Sequence, residues 1–201
     1  LLEDEFFGNL LDKIENRLKN TKNDNLVKYF FQGRQNDMLT FQEGCKHHRT
    51  NINNFYSIQL QIQGKKNIYE SLDTLIEGEL MNGDNCIFCP ECNNKFPAVK
   101  SQNFKTLPRM LIFVLKRFEF DYDTMKKVKI NDYYEFPVEL DMSKYISDNN
   151  NKKDPNLNKY NLKGVVVHMG NCEGGHYYAY IKTKNGMRSR SEERRVGKEC
   201  R

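Results

Sequence analysis

Leu162-Lys163-Gly164-Val165-Val166-Val167-His168-Met169-Gly170, followed by Asn171-Cys172-Glu173-Gly174-Gly175-His176-Tyr177-Tyr178-Ala179-Tyr180-Ile181, is the stretch that decides the fold class. Leu162–His168 and Tyr177–Ile181 are short and rich in β-branched and aromatic residues, and glycines cluster between them. That pattern predicts two strands joined as a hairpin. Upstream, Tyr56, Ile58, Leu60 and Ile62 alternate with Ser57, Gln59, Gln61 and Gln63, which predicts a strand with one wet face. Met110–Leu115 is a continuous apolar run after Pro108 and reads as a strand buried on both faces. Val128–Phe136, ended by Pro137, and Leu26–Phe31, stopped by Gly33, read as further strands. Helical spacing occurs twice. Phe6, Phe7, Leu10, Leu11, Ile14 and Leu18 mark an amphipathic helix over Glu3–Lys19. Ile68, Leu72, Leu75 and Ile76 mark a short one with Gly78 near its end. Lys144–Lys159 is polar and reads as a loop. Strands outnumber helices and no βαβ alternation appears, so the expected class is α+β with an antiparallel sheet.

Composition sets the outer bounds. The 201 residues suit one domain, or one domain with a subdomain, and 12% aromatic content excludes a disordered chain. No apolar run is long enough to span a membrane as a helix. The net charge of +5 is unevenly placed: Arg188–Arg201 hold six Lys/Arg against three Glu, leaving +2 for the rest. A body that near neutrality argues against nucleic-acid binding. The same tail is Arg-rich where the body is Lys- and Asn-rich, so residues 188–201 read as foreign to the domain, resembling adaptor read-through. The chain begins at Leu1 inside a helical pattern, which reads as a fragment.

Cys89-Pro90-Glu91-Cys92 is a C-x-x-C, a turn that aims two sulfurs at one tetrahedral metal. Cys45 with His47 or His48 supplies a second pair, giving a Cys₃His zinc site; Cys86 is a competing ligand. A redox motif, a disulfide and buried free thiols are the rival readings. The first lacks its βαβ context, and a reducing compartment disfavours the second.

In the glycine turn, His176 stands at the start of a strand and shares a face with Tyr178 and Tyr180. An imidazole there suits general acid–base work, and equally suits a structural role closing the hairpin. His168 reads as a sheet or core histidine. Cys172 lies too close in sequence, on the same short turn, to serve His176 as a nucleophile.

Several pieces, in order, resemble the ubiquitin-specific protease family of deubiquitinases. They are Asp4-Glu5-Phe6-Phe7, Phe31-Gln32-Gly33, the Cys45 pair, Ser71-Leu72, Cys89-Pro90-Glu91-Cys92 and Leu107-Pro108 with Leu111. Leu115-Lys116-Arg117-Phe118, Phe136-Pro137, Tyr160 through Gly170 and Gly174-Gly175-His176-Tyr177 complete the set. Asn67-Ile68-Tyr69-Glu70-Ser71-Leu72 and the short gap from Cys45 to Phe55 are most similar to the large, fat-facets-type members. The resemblance implies a papain-like cysteine protease fold of thumb, palm and zinc-bearing fingers. Residues 1–32 would be a thumb and palm remnant, 33–106 the fingers and 107–187 the palm. It implies hydrolysis of the bond after the C-terminal glycine of ubiquitin, with ubiquitin and ubiquitinated proteins as partners and an intracellular setting, cytoplasmic or nuclear. His176 would be the catalytic histidine, with Gly174, Gly175 and Tyr177 lining the substrate tail. Cys45, His47 or His48, Cys89 and Cys92 would hold structural zinc.

The family's cysteine box lies upstream of the first helix and its third catalytic residue, Asp or Asn, beyond the histidine strand. Neither motif is found in this sequence, so the chain by itself is expected to be inactive. The alternative is a non-catalytic ubiquitin-binding scaffold. A zinc-ribbon nucleic-acid binder would need a basic stripe beside the cysteines, and only Lys46, Arg49 and Lys95 lie near them.

Overall fold

The structure, a computed structural model, describes residues 2–147, 157–184 and 186–191. Two helices, α1 (Leu2–Leu18) and α2 (Leu26–Phe31), lead into β1 (Gly33–Phe41), β2 (His48–Phe55) and β3 (Ile58–Gln61). Helix α3 (Ile68–Glu77) is followed by β4 (Glu79–Met81), β5 (Ile87–Cys89), β6 (Asn94–Phe96) and β7 (Ala98–Thr106). Next come β8 (Phe113–Lys116), β9 (Phe118–Asp121), β10 (Lys126–Lys129), β11 (Glu139–Asp141) and β12 (Lys159–Asn161). The last strands are β13 (Gly164–Gly170), β14 (Gly175–Thr183) and β15 (Gly186–Ser191).

A four-stranded sheet has the order β2-β1-β7-β4, with β1 and β2 paired antiparallel from Gly33↔Phe55 to Thr40↔His48. The histidine hairpin is a second sheet, β13-β14-β15, also antiparallel. Strands β3 and β8 run parallel, Ile58 opposite Phe113. The α+β class with mainly antiparallel pairing is therefore the observed one. The main core gathers Ile58, Leu60, Ile62, Leu72, Phe104, Tyr134 and Met142, with Leu60, Leu72 and Met142 wholly shielded.

Helix α3 is fixed at both ends. The Asn67 side chain accepts from Glu70 N–H at 3.0 Å, and the Glu70 carboxylate accepts from Lys66 N–H at 2.8 Å, a reciprocal cap. At the other end Gly78 adopts φ +83, and a Cβ there would lie 2.7 Å from the Lys100 carbonyl oxygen of β7. Only glycine ends the helix so close to that strand.

Several expectations are corrected. Leu26–Phe31 is a helix, not a strand. Val27, Phe30 and Phe31 fall on one face at helical spacing, and the Phe31 ring meets Phe7 of α1 edge-on at 6.0 Å. Only the start of Val128–Phe136 is a strand. Beyond Lys129 the Arg117 guanidinium donates to the Ile130 and Asp132 carbonyls, replacing ladder partners. Met110 is 47% exposed, and Phe113–Leu115 are half-buried, so the run is not buried on both faces. In the expected loop Lys144–Lys159, Tyr145 and Ile146 are buried and Lys159 opens β12, while 148–156 lie outside the described residues. Strand β15 carries the pairing with β14 past Met187 to Ser191. The remainder of the tail lies outside the described residues.

Candidate functional site

Two hairpin tips meet at this site. The tip between β1 and β2 turns sharply because Glu43 and Gly44 both take left-handed backbone, φ 47 and φ 92. This turn presents Cys45, whose N–H donates to the Gln42 carbonyl, and closes with Phe41 N–H donating to the His47 carbonyl. The tip between β5 and β6 is the Cys89–Cys92 turn, followed by Asn93 at φ 50. Cys45, His47, Cys89 and Cys92 converge so that their ligand atoms all lie within 4.8 Å of one another.

The edges of this group match a metal site. His47 Nδ1 lies 3.5 Å from Cys45 Sγ and 3.4 Å from each of Cys89 Sγ and Cys92 Sγ. Cys45 Sγ lies 3.6 Å from Cys89 Sγ and 3.7 Å from Cys92 Sγ. A tetrahedral ion with sulfur at about 2.3 Å and nitrogen at about 2.0–2.1 Å requires edges of about 3.8 Å and 3.5 Å respectively. Phe41 and Ala98 pack with Cys45 and Cys89 in a second buried cluster behind the tips.

His48 is corrected as a candidate ligand: it opens β2 opposite Thr40, and strand alternation turns it to the face away from Leu39, Phe41 and Arg49. Cys86 follows a short 3₁₀ turn, Gly83–Asn85, and does not join the four.

The thiols perturb one another. Burial raises Cys45, but the His47 N–H and hydrogen bonds with Cys89, His47 and Cys92 outweigh it and bring Cys45 below the ordinary thiol value. Burial, the Glu91 carboxylate and Cys45 raise Cys89. Burial together with Cys45 and Cys89 pushes Cys92 up to about 11. One thiolate is favoured in this group; three at once call for a cation.

Sequence reasoning missed the residues that brace the tips. Glu91 Oε2 lies 3.1 Å from Cys89 Sγ, and Arg49 reaches Glu91 at 3.7 Å and the Phe88 carbonyl at 3.5 Å. Glu91 was visible as the residue inside C-x-x-C. Arg49 had no local signal, since its partners lie about forty positions away.

The histidine turn is built differently. Met169 pairs with His176 and Gly170 with Gly175. His176 is exposed, and its imidazole hydrogen-bonds to no described side chain. It shares a face with Tyr178 and Tyr180, whose rings meet edge-on at 5.5 Å, as the alternation predicts. On the opposite face the His168 ring sits between Phe118 at 5.3 Å and Tyr177 at 4.8 Å, with a buried Nδ1 that has no hydrogen-bond partner among the described residues. The two glycines before His176 have different surroundings. A Cβ at Gly175 would collide with the Met169 carbonyl and the His168 ring, whereas Gly174 faces open space.

The family described as "Ubiquitin carboxyl-terminal hydrolase" matches residues 3–192. Human "Ubiquitin carboxyl-terminal hydrolase 9Y" is 34% identical over 203 residues, covering 90% of this chain and 8% of the relative. "Probable ubiquitin carboxyl-terminal hydrolase FAF" of Drosophila melanogaster is 34% identical over 194 residues, covering 90% of this chain and 7% of the relative. The solved structure "SAGA Ubp8/Sgf11/Sus1/Sgf73 DUB module bound to ubiquitin aldehyde" superposes with a TM-score of 0.72 at 30% identity, covering 94% of this chain and 44% of that one. This chain thus spans less than a tenth of the length of those two curated relatives. With the family match running from the first helix through the last described strand, the chain belongs to the ubiquitin carboxyl-terminal hydrolase family.

Proposed function

We propose that this chain is the fingers and palm portion of a thiol deubiquitinase. Its fingertip is braced by a structural Zn²⁺ on Cys45, His47, Cys89 and Cys92, and His176 is its general base. The observation that carries the reading is the exposed imidazole of His176, set at the head of β14 beside a turn whose Gly174 leaves room for an extended peptide. A thiol proton would pass to His176, and the thiolate would attack the carbonyl of ubiquitin's last glycine. His176 would then protonate the departing lysine amine, leaving a thioester that water hydrolyses with His176 again taking a proton. Gly174, Gly175 and Tyr177 would flank the bound tail, Tyr177 from the face that carries His168.

Zinc fits the donor set: three sulfurs and one imidazole at tetrahedral edges leave no open position, which is the mark of a structural site. The ion would neutralise the crowded thiolates and staple two hairpin tips together. The thiols that hold it call for a reducing compartment, consistent with a cytoplasmic or nuclear setting.

The nucleophile would come from outside residues 1–201. Cys45, Cys89 and Cys92 are committed to the fingertip, Cys86 precedes the β5 strand that leads into it, Cys172 shares the short turn with His176, and Cys200 lies outside the described residues. Residues 1–201 alone are therefore proposed to be inactive. The alternative, a ubiquitin-binding scaffold without catalysis, draws on the same fact.

A ubiquitin carrying a C-terminal electrophile separates the two. The full-length protein is expected to be labelled on a single cysteine outside 1–201, and the isolated chain is expected to remain unlabelled. Labelling of Cys172, or none anywhere in the full-length protein, would overturn the reading.

A further inference from the structure

We propose that Lys129 is a positioning residue for the His176 turn, a role that rests on the reading of His176 as the base. Strand β13 is one of the two edges of its sheet among the described residues. The Met169 carbonyl faces β14, where a Cβ on Gly175 would collide with it. Successive carbonyls in a strand point to opposite sides, so those of His168 and Gly170 face outward, away from β14. The Lys129 ammonium donates to both, at 3.0 Å each. The residue between the two clamped carbonyls is Met169, the register partner of His176.

A second contact doubles the clamp. Lys129 pairs with Phe118 across β9 and β10, so both side chains leave the same face of that ribbon. Phe118 rests on the His168 ring while Lys129 holds the His168 and Gly170 carbonyls. His168 in turn fills the space that the missing Cβ of Gly175 leaves open. A chain of direct contacts runs from the β9–β10 ribbon through His168 and Gly175 to His176.

The turn's own bonds close on themselves. Asn171 Oδ1 accepts from the N–H groups of Glu173 and Gly174, and Asn171 N–H donates to the Gly174 carbonyl. Those bonds shape the loop but do not orient it against the rest of the molecule. Lys129 does so, with charge-assisted bonds to the two backbone groups that flank the histidine's partner. Its task is geometric: it holds an imidazole in register for a thiol supplied from elsewhere, where a displacement of about 1 Å costs up to about 100-fold in rate.

The test uses the full-length protein, a ubiquitin C-terminal amide substrate and amide hydrogen exchange. Lys129→Met is expected to lower kcat about 10- to 100-fold with KM within about twofold, and to speed exchange across residues 168–177. Lys129→Arg, which keeps charged donors, is expected to recover most of kcat. Metal content and melting temperature serve as fold controls, and Lys129→Gln, with one neutral donor, stands in if Lys129→Met does not fold. Unchanged kcat, or a rise in KM with kcat intact, would overturn the proposal, as would a loss of kcat with no change in exchange. His176→Ala is assayed alongside. If that variant stays active, the base reading falls by itself and the positioning role falls with it.

Discussion

At the fingertip, four donor atoms from two hairpins face one another across 3.4–3.7 Å, and every one is turned inward. At the histidine turn, the imidazole is exposed and meets no described partner, while its supports are arranged on the opposite face. The first constellation is complete in itself and has no position left for substrate. The second leaves its imidazole open on one face of a strand that is backed on the other. Closed donor sets brace a fold; an open, rigidly backed titratable group is what chemistry requires.

The largest expected effect falls on the closed site. Cys89→Ala removes a wholly buried ligand, and metal per chain is expected to fall from about one to near zero. Amide exchange is expected to accelerate around Cys45 and Cys92 and to change little across β13 and β14. Equal acceleration in both regions would break the distinction between them. Second in size is the main core, which holds residues of neither region. Leu72→Ala empties a fully shielded position and is expected to cost about 2–5 kcal/mol in chemical denaturation.

The pH dependence of metal binding sharpens the contrast further. Cys89 and Cys92 lie above the ordinary thiol value, Cys92 at about 11, so at neutral pH both hold protons in the metal-free protein. Metal must displace those protons. Affinity therefore falls as pH drops, by about 100-fold per unit if two protons leave. Competition with a chromophoric chelator between pH 6 and 8 measures the slope, and a flat profile would mean that the thiols are already ionised. The smallest expected effect is at the brace. Arg49→Ala is expected to weaken metal binding by about tenfold, because it frees Glu91 and the Phe88 carbonyl without touching a ligand.

What the sequence disclosed follows from range. The Cys89-x-x-Cys92 turn, the Cys45–His47 pair, α3 with its Gly78 stop and the β13–β14 hairpin all announce themselves within about ten residues. Strands β1 and β2 do not. Arg34 to Asp37, with Asn51, Asn53 and Asn54, put polar residues on both faces of this pair, so no alternation marks them as strands. Asp37, for example, accepts from Gln35 and Gln102 within its sheet, satisfying polar groups that a hydrophobic pattern would never flag. Leu26–Phe31 fits either period because five of its six residues are apolar, with only Lys28 between them. Choice between His47 and His48 needed the register of β2, and the Lys129 clamp needed contacts across about forty residues.

On the proposed reading the exposed imidazole is the base and the four-donor group is only a brace. Turnover of a ubiquitin C-terminal amide by the full-length protein, measured for His176→Ala beside metal content, tests it most directly. The account predicts a loss of about 10²- to 10⁴-fold in turnover with about one metal per chain retained. Turnover within a few fold of the parent protein, with metal still bound, would contradict it.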